Sequence, residues 1–211
     1  MNDIKFYQLP NIGILKTKIP DILYKKLLKE SLEAKSKNTR LQTGLTGSGV
    51  SDHYVLKYHR KELENYILNL VDKYCQNYSE YLNNINILSK DCSLYVDQPW
   101  INLQKKYEYI PNHHHDGILS YSIWIKIPYE KEKETNYKKL NFKKQNFHSF
   151  EFSYSNVLGE LNQFDLKVSK EDEGIIQMFP SKLIHSVYPF YTSNDYRISV
   201  SGNIKFKVES L

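Results

Sequence analysis

From Ser93 onward, apolar and polar residues alternate with a period of two, whereas before it they recur at steps of three and four. The earlier pattern predicts helices. Pro20-Asp21 opens one, with Ile22, Leu23, Leu27, Leu28 and Leu32 on one side and the polar run Lys35 to Arg40 ending it. A longer helix is expected from about His59 to Leu82, where Leu63, Ile67, Leu70, Val71, Tyr74, Tyr78 and Leu82 form a stripe suited to packing on a sheet. Ahead of both, residues 4–19 read as a short strand region carrying Ile4, Phe6, Ile12, Ile14 and Leu15. Gly44-Leu45-Thr46-Gly47-Ser48-Gly49 lacks the Lys-Ser/Thr of a phosphate loop and reads as a flexible loop.

The later pattern predicts strands at Ser93 to Val96, Trp100 to Lys106, Ile118 to Ile127, Phe150 to Tyr154, Ile175 to Phe179, Leu183 to Tyr188 and Arg197 to Lys207. Helices followed by a run of short strands indicate a β-sandwich or jelly roll buttressed by two helices. The 211 residues are expected to form a single domain (1–211), with 1–90 as N-terminal strand and helical support and 91–211 as the β core. The stretch 130–150 breaks the strand pattern. It opens with Glu130-Lys131-Glu132-Lys133-Glu134 and continues through Lys138, Lys139, Lys143 and Lys144, interleaved with Tyr137, Phe142 and Phe147, as an insertion loop or lid.

Composition narrows the class. With 40% hydrophobic and 25% charged residues the chain reads as globular, not disordered. A net charge of +5 is a mild bias toward anionic partners, well short of a dedicated nucleic-acid binder. Two cysteines, Cys75 and Cys92, suggest buried thiols in a reducing compartment. No apolar run has signal-peptide form or approaches the roughly 20 residues of a membrane span, so the expectation is a cytoplasmic protein with no membrane partner, in the host cytoplasm if phage-encoded.

Candidate chemistry sits in Pro111-Asn112-His113-His114-His115-Asp116-Gly117. Residues two apart on a strand share a side, so either His113 with His115 or His114 with Asp116 aims two ligands at one point. A one-residue slip exchanges the two pairs, and a bulge at the strand entry relaxes the choice. By itself such a cluster fits a solvated turn equally well. His185 adds a third ligand, and imidazole with carboxylate on one face of an ion is the arrangement suited to non-haem Fe(II). Arg197 opens the apolar alternation Ile198, Val200, Ile204, which calls for an anionic partner, either a structural salt bridge or a ligand carboxylate gripped bidentately. Ser199 shares its face. The other histidines, His53, His59 and His148, have no partner spacing and are expected in surface or core roles.

Taken in order, these residues resemble the 2-oxoglutarate/Fe(II)-dependent oxygenase family of marine phages and bacteria. The resemblance is carried by Trp100 to Lys106, Pro111 to Gly117, Ser120 to Pro128, Glu173 to Pro180, His185 to Pro189 and Arg197 to Asn203. It covers 92–206, with the 130–150 loop outside it. It implies a double-stranded β-helix (a cupin-like jelly roll) that holds Fe(II), with 2-oxoglutarate as co-substrate chelating the metal, O2 as the second co-substrate, and ascorbate as an accessory. The implied reaction is hydroxylation of a prime substrate with release of succinate and CO2. Arg197 matches the position that binds the distal carboxylate of 2-oxoglutarate, with Ser199 assisting, and His185 matches the distal iron ligand. Nearer members place His-x-His ahead of the glycine, which selects His113 and His115; the wider superfamily's His-x-Asp corresponds to His114 and Asp116. Asn102 with Gln104 and Lys106 on one strand, and Ser120, Ser122 and Trp124 on another, are candidates to line the pocket, Asn102 and Trp124 beside the co-substrate. The prime substrate is left open between a protein side chain, a nucleic acid and a metabolite. Two other classes fit the same architecture: a non-catalytic jelly-roll binding or virion structural module, and a three-histidine dioxygenase that uses no keto acid.

Overall fold

The computed structural model describes residues 5, 11–37, 40–41, 52–83, 85, 92–137 and 147–207. In chain order the elements are β1 (Leu15–Lys18), α1 (Asp21–Leu32), α2 (Ala34–Lys37), β2 (Asp52–Val55), α3 (Arg60–Asn77), α4 (Glu80–Asn83), β3 (Leu94–Val96), β4 (Trp100–Gln104), β5 (Ile110–His113) and β6 (Leu119–Lys126). They continue as α5 (Lys131–Thr135), β7 (Ser149–Ser155), β8 (Leu161–Lys167), β9 (Ile175–Pro180), β10 (Ile184–Val187) and β11 (Arg197–Phe206).

Two antiparallel sheets face each other as a double-stranded β-helix. The larger runs β1-β9-β6-β11-β4-β2, with β3 also on β11, and the smaller runs β5-β10-β7-β8. The larger sheet has two chemically different faces because its strands alternate. One face carries Ile101, Leu103, Ile123, Ile125, Ile176, Met178, Ile198, Val200 and Ile204 and is covered by Leu23 and Leu27 of α1 and Leu63, Ile67, Leu70, Val71 and Tyr74 of α3. Fully burying each such side chain contributes about 1.5–3 kcal/mol. The other face looks into the sandwich and is strongly polar. Strand register aligns Arg197 with Gln104, Ser199 with Asn102 and Trp124, Ser201 with Trp100 and Ser122, and Asn203 with Ser120. Opposite it, the smaller sheet contributes Phe150, Phe152 and Val187, which pack with Trp124, Phe179 and Phe190 into a second, aromatic core.

The N-terminal part does more than buttress. β1 pairs with β9 and β2 with β4, so both complete the larger sheet. Several expected boundaries move. On α1, Ile22 and Leu32 are exposed, because the sheet-facing line runs through Leu23 and Leu27 and leaves them to its sides. The long helix ends at Asn77, where Tyr78 leaves helical geometry, and α4 follows as a separate turn. The thiols Cys75 and Cys92 are unpaired and half-buried, not buried. The 130–150 stretch contains α5, whose Glu134 is fully buried and accepts from the backbone N–H groups of Tyr191 and Thr192. Ile4, Phe6, the Gly44–Gly49 loop and the Lys138–Lys144 part of the insertion lie outside the described residues. Among the described residues, no helix is long and apolar enough to cross a membrane.

Candidate metal centre and co-substrate pocket

β5 and β10 are paired so that His113 and His185 are direct cross-strand partners. His115 lies just past the end of β5, tied by its backbone N–H to the Ser181 carbonyl at 2.9 Å and packed against the Trp100 ring at 5.7 Å. Ring centroids are 4.2 Å apart for His113 and His185, 5.1 Å for His115 and His185, and 5.0 Å for His113 and His115. One nitrogen from each ring falls in a group whose members all lie within 4.8 Å of one another. Imidazole–metal bonds are about 2.0–2.1 Å, so this spread is close to what a single ion spans. His113 Nδ1 donates to the Pro111 carbonyl at 2.7 Å and His185 Nδ1 to the Leu183 carbonyl at 2.8 Å. A carbonyl only accepts, so the proton sits on Nδ1 and the lone pair is left on Nε2, the tautomer a metal ligand needs.

Burial keeps these rings neutral. Desolvation, reinforced by the neighbouring rings, lowers His115 to about 4 and holds His185 well below the usual histidine range; His113 is lowered by burial too. Phe150, Phe152 and Phe179 pack around the His185 ring. His114 and Asp116 are exposed and fall outside this group. The Asp116 carboxylate is 91% exposed and pairs with Lys182 at 3.0 Å. The alternation around His113 and His115 thus turns the other pair outward. The donor set fits a metal: three neutral imidazoles close together, two of them with their tautomer fixed by a backbone carbonyl.

A cavity of about 230 Å³ adjoins the triad, with a polar floor that includes Asn102, Gln104, Ser122, Ser199 and Ser201 and an aromatic wall that includes Phe179. Asn102 donates to Ser199 Oγ at 3.0 Å and Ser201 Oγ at 3.2 Å, and its Oδ1 lies 2.7 Å from His53 Nδ1. Trp124 is buried on this floor and donates to Gln177 Oε1 at 3.1 Å. Arg197, 1% exposed, lies behind the cavity lining, bonded to Gln104 and with its guanidinium over the Trp124 ring. Its partners are Gln104, Tyr129 and the Tyr188 carbonyl.

Residues 98–203 match the sequence profile of a family described as "Putative 2OG-Fe(II) oxygenase". The chain belongs to this family. Fe(II) and 2-oxoglutarate are accordingly its cofactor and co-substrate, and the enzyme is a 2-oxoglutarate-dependent dioxygenase. Solved structures share the fold at low identity. A Pseudomonas putida prolyl-4-hydroxylase is 11% identical with a TM-score of 0.57, over 93% of this chain and 94% of that one. The non-haem α-ketoglutarate-dependent epimerase SnoN of nogalamycin biosynthesis is 10% identical with a TM-score of 0.54, over 92% and 78%. A Trichoplax adhaerens prolyl hydroxylase, solved with a hypoxia-inducible-factor peptide, is 10% identical with a TM-score of 0.52, over 92% and 83%. A comparison with curated protein sequences gives no match.

Some residues around the triad and Arg197 carry no signal in the sequence. His53, given only a default role, faces the cavity from β2 and meets Asn102. Tyr129 and Tyr188 reach Arg197 from just beyond β6 and β10, Tyr188 through its backbone carbonyl, and neither was expected as its partner. Gln104 was visible as part of an alternating polar face, yet its grip on Arg197 depends on strand pairing across 93 residues. Lys106, expected on the same face, falls beyond the end of β4 in a turn.

Proposed function

We propose that the chain hydroxylates its prime substrate, with His113, His115 and His185 holding Fe(II) and Arg197 with Ser199 receiving the distal carboxylate of 2-oxoglutarate. The observation that carries this reading is the buried Arg197, which has no carboxylate partner among the described residues and stands on the inward polar face of the larger sheet, opposite the strands that carry the histidine triad. The triad stands at the Trp100 and Ser201 end of that face, and Arg197 lies four residues along β11 from Ser201. Four residues of strand span about 13–14 Å, a gap that a long arginine side chain and a five-carbon diacid bridge together.

When bound, Fe(II) and 2-oxoglutarate supply the oxidative chemistry, in which O2 and the keto acid yield succinate, CO2 and one oxygen atom for the substrate. The protein's contribution is placement. Backbone carbonyls fix the tautomer of His113 and His185, so their lone pairs are presented without a proton to displace. Phe150, Phe152 and Phe179 exclude water around His185. Because Asn102 donates to Ser199 Oγ, the Ser199 hydroxyl hydrogen is free to turn to a carboxylate. Three histidines without a carboxylate leave the site one negative charge short of the His-x-Asp arrangement.

The test is conversion of 2-oxoglutarate to succinate that requires Fe(II) and O2 and is lost in His185→Ala. Oxygen uptake that proceeds equally without 2-oxoglutarate would overturn this reading in favour of keto-acid-independent chemistry.

A further inference from the structure

Every acceptor around Arg197 is neutral. Gln104 Oε1 accepts from Nε at 3.0 Å and from Nη2 at 2.6 Å, the Tyr188 carbonyl accepts from Nη2 at 2.6 Å, and the Tyr129 hydroxyl accepts from Nη1 at 3.1 Å. A guanidinium has five N–H donors. Four are satisfied here, and the positive charge meets the rings of Trp124, Tyr129 and Phe190 but no anion. Among the described residues, no aspartate or glutamate forms an ion pair with Arg197. A buried charge without a counter-ion is costly, and proteins ordinarily pair it.

Gln104 occupies the place where such a counter-ion would be easiest to supply. It is directly opposite Arg197 in the β4–β11 register, takes the Nε/Nη2 edge that carboxylates prefer, and also lines the cavity. Its orientation is fixed from both ends, because its Nε2 donates to the Glu108 carbonyl at 2.6 Å. Glutamate has nearly the same shape and would neutralise the guanidinium, at the cost of the donor to the Glu108 carbonyl.

We infer that Gln104 is a specificity-determining positioning residue: its neutral amide holds the Arg197 fork while reserving the charge for the distal carboxylate of a dianionic keto acid. This rests on the reading of Arg197 given above. Selectivity for 2-oxoglutarate over keto acids with a single carboxylate then depends on what is absent at position 104, a negative charge, as much as on the arginine.

The experiment is anaerobic titration of the Fe(II)-loaded protein with 2-oxoglutarate, comparing wild type, Gln104→Glu and Gln104→Met, with metal affinity and Tm measured for each. The expected result is at least tenfold weaker 2-oxoglutarate binding in Q104E, with metal affinity preserved and a Tm lowered no more than in Q104M, since both variants lose the donor to the Glu108 carbonyl, and binding within a few-fold of wild type in Q104M. Equal affinity in Q104E and wild type overturns the inference. So does an equal loss in both variants, which would make the amide's grip decisive and not its neutrality. A Q104E protein that does not fold or hold metal overturns it as well, since the fork is expected to accept a carboxylate there. Wild type that binds Fe(II) but no 2-oxoglutarate would instead overturn the reading of Arg197 on which the inference rests.

Discussion

His113 and His185 face each other across the antiparallel pair of β5 and β10, with ring centroids 4.2 Å apart. Strand register alone therefore brings together two groups 72 positions apart, and His115 joins them from the turn that follows. Replacing His113, His115 or His185 by Ala is expected to weaken Fe(II) binding by more than the roughly 10–100-fold that a lost supporting contact costs a metal site. His114→Ala and Asp116→Asn should leave it unchanged, because Asp116 is exposed and bound to Lys182. Metal titration of the five variants checks this. Loss of affinity in Asp116→Asn with none in His113→Ala would select the other pair.

Gly117 sets where His115 sits. Its φ is +143°, and a Cβ there would lie 2.8 Å from the Ile204 carbonyl oxygen and 3.1 Å from Ser181 Oγ. Backbone strain of this kind costs about 1–3 kcal/mol, and the clash with a fixed carbonyl adds to it. Gly117→Ala is expected to lower stability by at least about 2 kcal/mol and to weaken metal binding, read by denaturant unfolding and metal titration. A variant as stable as wild type would contradict this account of the turn.

The elements that sequence patterning made legible are those with one face buried along their whole length. Leu63, Ile67, Leu70, Val71 and Tyr74 of α3 are all buried, as their spacing predicts. β6 and β11 are likewise read correctly from their alternation. β8 was missed because it is the edge of the smaller sheet and leaves Leu161 and Phe164 exposed, so its pattern does not alternate cleanly. β5 was obscured by Pro111, which reads as a turn yet is tolerated at an edge strand. Among the site residues, the triad and Arg197 stood out because their chemistry is conspicuous in an apolar setting. Gln104, Tyr129 and Tyr188 are chemically ordinary until folding places them on the guanidinium.

Acid should destabilise the metal-free protein in a defined window. Burial lowers His113, His115, His185 and His148 below the ordinary histidine value near 6.5, with His115 at about 4. The unfolded chain therefore takes up protons first as pH falls. The stability these neutral rings contribute is complete above about 6.5 and is lost progressively from there toward 4. Thermal melts of metal-free protein between pH 7.5 and 4.5 should show Tm falling across that range. A flat profile would mean the rings are less buried than described.

Arg197→Met should separate the two halves of the site. Gln104, Tyr129 and the Tyr188 carbonyl lose a shared donor, a cost of about 1–3 kcal/mol for buried acceptors left short, offset by removal of an uncompensated buried charge. The folded variant is expected to bind Fe(II) as wild type does and to take up no 2-oxoglutarate by calorimetry. Normal uptake would show that the distal carboxylate goes elsewhere.

Whether three histidines and one arginine together hold Fe(II) and 2-oxoglutarate is decided by adding 2-oxoglutarate to the Fe(II) protein without oxygen and recording the visible spectrum. A keto acid chelating the iron gives a charge-transfer band, so the account predicts a band that saturates at one equivalent, fails to form in His185→Ala and does not form with Arg197→Met at the same concentration. Wild-type protein that holds Fe(II) yet gives no band at saturating 2-oxoglutarate would contradict it.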